Sequence, residues 1–403
     1  MSSSNDQSSI VNQQSKIYNN VYEQLFSWCR EHDFAGHDPF DALNSRLFQS
    51  TPLKTSRSAR LVWTQVVKRS PADLRKVSSV PEQRNAKGLA LFALAQLARH
   101  RQQRTKETEI QTRSILGELL SMQISGGTTG AAWGYNFDWQ SRNFFAQRDT
   151  PTIVPTAFAA RAFLEAGRDL DNEHYLSIAR STCEFILNDL PRPYESEDEV
   201  CFSYSPNSNT KIYNASLLAA EVLASVGAMT AEKQLIDFGV RAARYVVRRQ
   251  GSDGSWVYGE EPAQQWIDNF HTAFILFSLK RVIDAASLGS EFQSALKRGY
   301  DYWQQTFFLA DGWPKYYHDD PYPADAHAGA SAIVTFLELA DLSENSIEFA
   351  ERVAQWTIEN LRDKRGFFYY QKRRFYTVKK PYMRWSQAWM LYALARLLEA
   401  KCR

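Results

Sequence analysis

The clearest chemistry in this chain lies in two histidines at equivalent points of a repeat. His271 ends the segment Trp266-Ile-Asp268-Asn-Phe-His271, and His327 ends Tyr322-Pro-Ala-Asp325-Ala-His327. Each follows an aspartate closely and opens an apolar stretch, in a chain with only 7 histidines. Paired imidazoles can take and return protons, and a carboxylate nearby can donate a proton or orient water. Aspartate just before a helix is also an ordinary N-cap, so both roles are open for Asp268 and Asp325. Asp138, in the loop Tyr135-Asn-Phe-Asp138-Trp139-Gln-Ser-Arg142, completes the candidate catalytic set. Arg142 from that loop and Arg384, in Met383-Arg384-Trp385-Ser-Gln387-Ala-Trp389, could each grip a carboxylate through two parallel hydrogen bonds.

Around these polar groups the sequence sets aromatic ones. The chain holds 11 Trp, 19 Tyr and 24 Phe. Trp133, Trp139, Trp256, Trp266, Trp313 and Trp385 fall in loops or at helix openings, where a ring can stack on a sugar or wedge a loop in place. An aromatic residue, a spacer and a tyrosine recur as Trp133-Gly-Tyr135, Phe202-Ser-Tyr204, Trp256-Val-Tyr258, Trp313-Pro-Lys-Tyr316 and Phe368-Tyr-Tyr370. Tyr258 and Tyr316 stand close enough in sequence to the histidines to assist them.

The elements that must position these groups are helices. After residues 1–16, read as a disordered tail, an amphipathic helix is expected at 17–31, followed by an irregular stretch over 32–80 broken by Pro39, Pro52 and Pro71. Paired helices are expected from about 83: 83–102 with 106–123, 152–167 with 172–189, 213–227 with 231–249, 268–286 with 291–308, and 326–341 with 346–362. A last helix falls at 383–400. The first helix of each pair opens on a polar residue followed by a small one: Lys87-Gly88, Thr156-Ala157, Asn214-Ala215, His271-Thr272, His327-Ala328 and Gln387-Ala388. A near-constant period means repeated supersecondary units. With the helix at 17–31 pairing the last one, residues 17–403 are predicted to form one all-α domain, an (α/α)6 toroid. Its inner helix amino ends converge on one mouth, where positive partial charge favours an anionic ligand group. Lys87, Asn214 and Gln387 join the candidate binding residues on that ground.

Other function classes are disfavoured. With 47 basic against 45 acidic residues the net charge is +2, unlike a general nucleic-acid or membrane-surface binder. No stretch approaches the roughly 18 apolar residues of a membrane span. The amino terminus lacks the basic and apolar regions of a secretory signal. Cys29, Cys183, Cys201 and Cys402 form no metal or disulfide pattern, which suggests a reducing, cytoplasmic setting with no metal. No phosphate-binding glycine motif is present and no cofactor is expected.

Several segments resemble the six-hairpin glycosidase superfamily, especially the unsaturated glucuronyl hydrolases. Asp325-Ala-His-Ala-Gly-Ala-Ser-Ala-Ile-Val-Thr-Phe-Leu-Glu-Leu339 resembles that family's Asp-bearing helix, Arg384-Trp-Ser-Gln387-Ala-Trp389 its Arg-Gly-Gln-Ala-Trp helix, and Trp266-Ile-Asp268 the segment whose aspartate is catalytic. The chain is also similar to poorly characterised toroid proteins associated with surface-polysaccharide gene clusters. Gln250-Gly-Ser-Asp-Gly254-Ser-Trp256 resembles the Q-x-x-x-G-x-W repeat of squalene and terpene cyclases, but the D-x-D-D acid motif is absent. The resemblance implies an enzyme of polysaccharide metabolism acting on an acidic, uronate-bearing oligo- or polysaccharide by hydrolysis, with Asp268 as acid and Asp325 or Asp138 orienting water. A C5-type epimerase or a lyase using His271 and His327 is the alternative. A non-catalytic glycan-binding scaffold is the third. Separately, the basic-aromatic segment at 364–384 suits single-stranded nucleic acid, an acidic polysaccharide or a plain solvated hairpin.

Overall fold

The computed structural model describes residues 2–70, 72–140 and 145–402, with side chains from residue 13 onward. Helix α1 (Ser2–Glu31) starts earlier than the predicted residue 17, in a stretch without Gly or Pro to stop it. Short helices α2 (Arg46–Gln49), α3 (Arg57–Arg69) and α4 (Leu74–Val77) lie within the region expected to be irregular. Five hairpins follow: α5 (Ala86–Gln103) with α6 (Lys106–Ser121), α7 (Ile153–Asp169) with α8 (Glu173–Asn188), α9 (Tyr213–Thr230) with α10 (Lys233–Val247), α11 (Asn269–Ala286) with α12 (Ser290–Phe307), and α13 (Ala326–Glu338) with α14 (Ser346–Leu361). A π-helical turn (Met383–Ala388) leads into α15 (Trp389–Lys401), which packs on α1 as the sixth pair.

Helices α5, α7, α9, α11, α13 and α15 each contact the next, and α15 returns to α5, so an inner ring closes. Composition explains which helices go inside. A helix that is apolar and small all round must be buried all round, whereas an amphipathic one suits an outer layer. Every residue of α5 from Ala86 to His100 is buried, while α10 buries one face only.

The repeated aromatic–spacer–tyrosine element ties this ring together through backbone and ring N–H groups. The Tyr204, Tyr258, Tyr316 and Tyr370 carbonyls accept hydrogen bonds from Ile153, Tyr213, Asn269 and Ala326, each at the start of the preceding repeat's inner helix. Those N–H groups have no partner inside their own helix, so each tyrosine caps its neighbour. At the other end of the element, the Trp133 and Trp256 indoles donate to the carbonyls of Leu119 and Val246 at the ends of α6 and α10, both at 2.8–2.9 Å. In the cyclase-like segment, Gln250 Nε2 donates to Gly254 O and Ala295 O, and the Trp256 ring packs where a side chain at position 299 would otherwise stand. Gly254 has φ +92° and its backbone abuts the Arg298 carbonyl, a geometry open to glycine.

The far end of the ring is closed by charge. All six inner helices contribute: Arg101, Arg161 with Glu165, Glu221, Arg281, Glu338, and Arg396 with Glu399. Arg101 bonds Glu165, Asp169 and Glu399 at 2.7–3.1 Å. Arg161 bonds Glu221, and Arg281 and Arg396 converge on Glu338 at 2.7 and 2.6 Å. Between this network and the mouth lies the Phe158 ring, 4.5 Å from Lys87 Nζ and 5.0 Å from Arg161 Cζ. Among the described residues no helix is long and apolar enough to cross a membrane.

Candidate active site

At the mouth a cavity of about 540 Å³ opens, within the range of small-molecule sites. Of the six inner-helix openings, four face it: Lys87, Asn214, His271 and His327. The other two serve the scaffold. Thr156 Oγ1 accepts from the Trp133 N–H at 3.0 Å and donates to its carbonyl. Gln387, expected to bind substrate, clamps Phe368 in the same way, accepting from its N–H at 2.7 Å and donating to its carbonyl at 2.8 Å. The expected binding role of Gln387 is thereby corrected: its amide is spent on the backbone.

Asp268 caps α11, accepting the His271 backbone N–H at 2.8 Å, and one oxygen lies 2.8 Å from His271 Nδ1. An ionised carboxylate only accepts, so Nδ1 donates to Asp268 and Nε2 is the nitrogen left to face a ligand. His271 sits among rings, with Tyr258, Trp266 and Phe270 centroids at 4.7, 5.3 and 4.0 Å. Tyr258 and Trp266 stack on each other at 4.3 Å. The Phe270 ring is also 4.6 Å from His327, so the two imidazoles flank one phenyl ring.

His327 is buried against Trp385 and Trp389, and neither of its ring nitrogens has a hydrogen-bond partner. Burial, then the Lys87 ammonium and the Arg384 guanidinium, hold its pKa well below the ordinary imidazole range, so it is neutral near pH 7. Lys87 Nζ lies over the rings of Phe158, Phe274 and Trp389 at 4.5–5.3 Å and forms no ion pair among the described residues, Asp38 being the acid whose charge reaches it. Burial, then Arg384, push its pKa far down. The carboxylate of an acid entering beside it would favour the charged form of Lys87. Asn214 is buried with its Oδ1 unpartnered.

Several expected site residues prove to be structural. Asp325 is fully buried and does not line the cavity; its oxygens accept from the Ala328 N–H, Gln371 Nε2 and Trp385 Nε1 at 3.0–3.1 Å. Burial nonetheless raises its pKa, and with every approach filled it cannot orient a water. Asp138 lies outside the cavity, accepting the Arg148 backbone N–H. Arg384 lines the cavity, but its fork is closed on Asp38 at 2.6 and 2.8 Å, so it anchors the 32–80 stretch instead of gripping a ligand. Trp133 and Trp256 are buried helix ties, and Trp313 packs on Tyr322 and Trp356 away from the cavity. Arg142 lies outside the described residues. Trp139, Trp266, Trp385, Tyr258 and Tyr316 do line the cavity. Burial lifts both tyrosines' pKa, so they stay protonated as donors.

The cavity also holds residues the sequence did not single out. Tyr135 and Tyr204, from the same repeat element, face it; the repeat was the available signal. Phe40, Gln65 and Lys68 come from the irregular stretch. Lys68 Nζ sits 4.2 Å over the Phe40 ring, and burial brings its pKa down to about 8. Asp268 is the one carboxylate among the lining residues, and it is engaged by His271. Among the described residues no three His, Cys, Asp or Glu side chains gather into a metal-holding group.

One consequence is a pH dependence of anion binding. Lys68 is charged below about pH 8 and loses its proton above it. Affinity for an anion beside Lys68 is expected to be flat near neutrality and to fall above about pH 8, approaching roughly tenfold per pH unit where the ammonium is required. Lys68→Met is expected to weaken that binding at pH 7 and to remove the fall, as titration of an anionic ligand across pH would read.

No protein-family model matches the chain, and no curated protein matches it. Solved structures do. The cellobiose 2-epimerase of Bacillus thermoamylovorans aligns with TM-score 0.61 and 13% identity over 80% of this chain and 89% of that one. An α-mannanase of Bacteroides thetaiotaomicron aligns with TM-score 0.60 and 12% identity over 81% and 89%. An unsaturated glucuronyl hydrolase specific for heparin aligns with TM-score 0.57 and 13% identity over 79% and 87%. At these identities the likeness establishes the fold, the (α/α)6 toroid read from the repeats.

Proposed function

We propose that the protein is a carbohydrate-active enzyme that moves a proton at the carbon beside the carboxylate of an acidic sugar, as a uronate epimerase does. The observation that carries this reading is His327. It is a neutral imidazole with both nitrogens unpartnered, in contact with the same Phe270 ring as a second imidazole that is hydrogen-bonded to a carboxylate. One imidazole that burial keeps neutral and a second that is hydrogen-bonded to a carboxylate supply a base and a proton donor for such a transfer. The fold neighbours, an epimerase and two glycan hydrolases by name, support a sugar as the ligand.

In this reading a uronate carboxylate sits near Lys87 and Lys68. His327 takes the C5 proton, and the C–H electron pair moves into the carboxyl group as an enediolate, stabilised by the ammonium groups. His271, with Asp268 holding its positive charge, returns a proton to the opposite face. The C–H bond re-forms with inverted configuration. If the electron pair instead expelled the oxygen at C4, the product would be an unsaturated uronate and a free hydroxyl.

Hydrolysis remains the second reading because Asp268 lines the cavity. It lacks a second cavity carboxylate, the partner such chemistry ordinarily uses. Incubating the protein with glucuronate, galacturonate and mannuronate oligosaccharides in deuterated water separates these outcomes by NMR and mass spectrometry. Deuterium at C5 in intact chains supports the proposal. Unsaturated products mean elimination, and new reducing ends without carbon-bound deuterium mean hydrolysis; either overturns it.

A further inference from the structure

Most arginines of this protein meet a carboxylate within 4 Å, as the far-end network and the outer helices illustrate. One group of cations beside the mouth does not. Lys68 and Arg69 end α3, and Arg373, Arg374 and Lys379 surround the turn between strands β1 (Gln371–Lys372) and β2 (Thr377–Val378). Among the described residues none of these five forms an ion pair with an acid. Like charges gathered without counter-charges generate a local positive field that draws polyanions. The opposing charges that reach the group are Asp325 and Asp38, toward Lys68, and Asp73 and Asp41, toward the neighbouring Lys380.

This group is joined to the cavity. Gln371 of β1 hydrogen-bonds Asp325, the cap of the helix that carries His327. Lys380 Nζ donates to the Val67 carbonyl, fastening the hairpin to α3, and the Arg373 charge reaches Lys68. Lys68 in turn lies on Phe40 in the cavity wall. At the hairpin tip, Phe375 is 90% exposed, an unusual cost for a large apolar ring in water.

We propose that the β1–β2 hairpin and the end of α3 form a docking surface for the chain of an acidic polysaccharide, whose terminal sugar enters the cavity. Arg373, Arg374 and Lys379 meet successive carboxylates, and Phe375 offers a stacking face. This rests on the acidic-sugar reading of the cavity and extends it from a single sugar to a polymer. Continuity with the cavity favours a glycan over a nucleic acid.

The probes are polygalacturonate and polymannuronate, each with its own disaccharide, and single-stranded DNA of matched charge. Binding is measured by titration across salt concentration. For at least one sugar, the polymer is expected to bind tenfold or more tighter than the disaccharide. The triple variant Arg373→Gln, Arg374→Gln, Lys379→Gln is expected to close that gap. The slope of log affinity against log salt is expected to fall by about 2, the counterion release of three contacts. Unchanged thermal unfolding of the triple variant excludes misfolding as the cause. Lys87→Met is expected to abolish disaccharide binding while the polymer still binds through the hairpin. Equal affinity for polymer and disaccharide, or a gap that survives in the triple variant, overturns the docking surface. So does DNA that binds as tightly as the polymer and displaces it. Disaccharide binding that survives Lys87→Met overturns the cavity reading instead, and leaves the chain-length comparison to judge the hairpin.

Discussion

Replacing His327 with glutamine is expected to lower kcat about 10²- to 10⁴-fold, the contribution of one positioned acid–base group. Glutamine keeps a polar amide of similar size between Phe270, Trp385 and Trp389 but cannot cycle a proton. Because the imidazole makes no hydrogen bond within the protein, its loss leaves no partner stranded, and the unfolding temperature is expected to change little. His271→Gln is expected to reduce turnover similarly, yet with a stability cost, since it leaves the Asp268 carboxylate buried without its ring partner. The contrast between the two variants, read by kinetics and calorimetry together, checks their assigned difference. If His327→Gln retained full turnover, the proton-transfer reading would fall.

The second large effect concerns stability. Glu338 accepts from both Arg281 and Arg396, and those guanidinium groups hold its carboxyl far below the usual carboxylate range despite its burial. Glu338→Ala is expected to cost about 1 to 3 kcal/mol, because two half-buried cations lose a shared partner while Arg281 keeps Glu165 and Glu221 and Arg396 keeps Glu399. With unfolding entropy near 2 cal/mol/K per residue, that lowers the unfolding temperature by about 1 to 4 °C. The sign in acid follows from the same shift. The unfolded chain binds a proton at this position near the ordinary pKa, whereas the folded one resists it. Its contribution is full above about pH 4.5 and declines as pH falls toward the depressed folded value. Calorimetry of the wild type and Glu338→Ala across pH 3–7 would show the two curves converging in acid. A constant separation would contradict this account.

The toroid was legible because its information is periodic. Six polar–small openings recur at nearly constant spacing, and small residues dominate the helices that lie inside. The two histidines were legible for the same reason, as were Lys87 and Asn214. Roles within the repeat were less so. Asp268 and Asp325 look alike in sequence, both preceding a histidine and both capping a helix. They differ because Gln371 and Trp385, distant in the chain, close over Asp325, while His271 turns back onto Asp268. Trp133 and Trp256 resemble Trp139 and Trp266 by position, yet the first two spend their N–H groups on helix ends. Arg384 looked like a free fork because its partner, Asp38, lies 346 residues earlier. Phe40 and Lys68 come from a stretch without periodicity, so nothing local marked them as cavity walls.

The Phe158 ring, with Lys87 toward the mouth and Arg161 toward the ion network, makes the axis of the ring a dead end. The mouth cavity shares no lining residue with the depression that Arg101, Arg161, Glu221 and Glu338 line at the other end. A sugar that enters must leave by the door it used, before the next one arrives. No chain can thread through, and in the proposed enzyme a released product would compete with the incoming substrate for one passage.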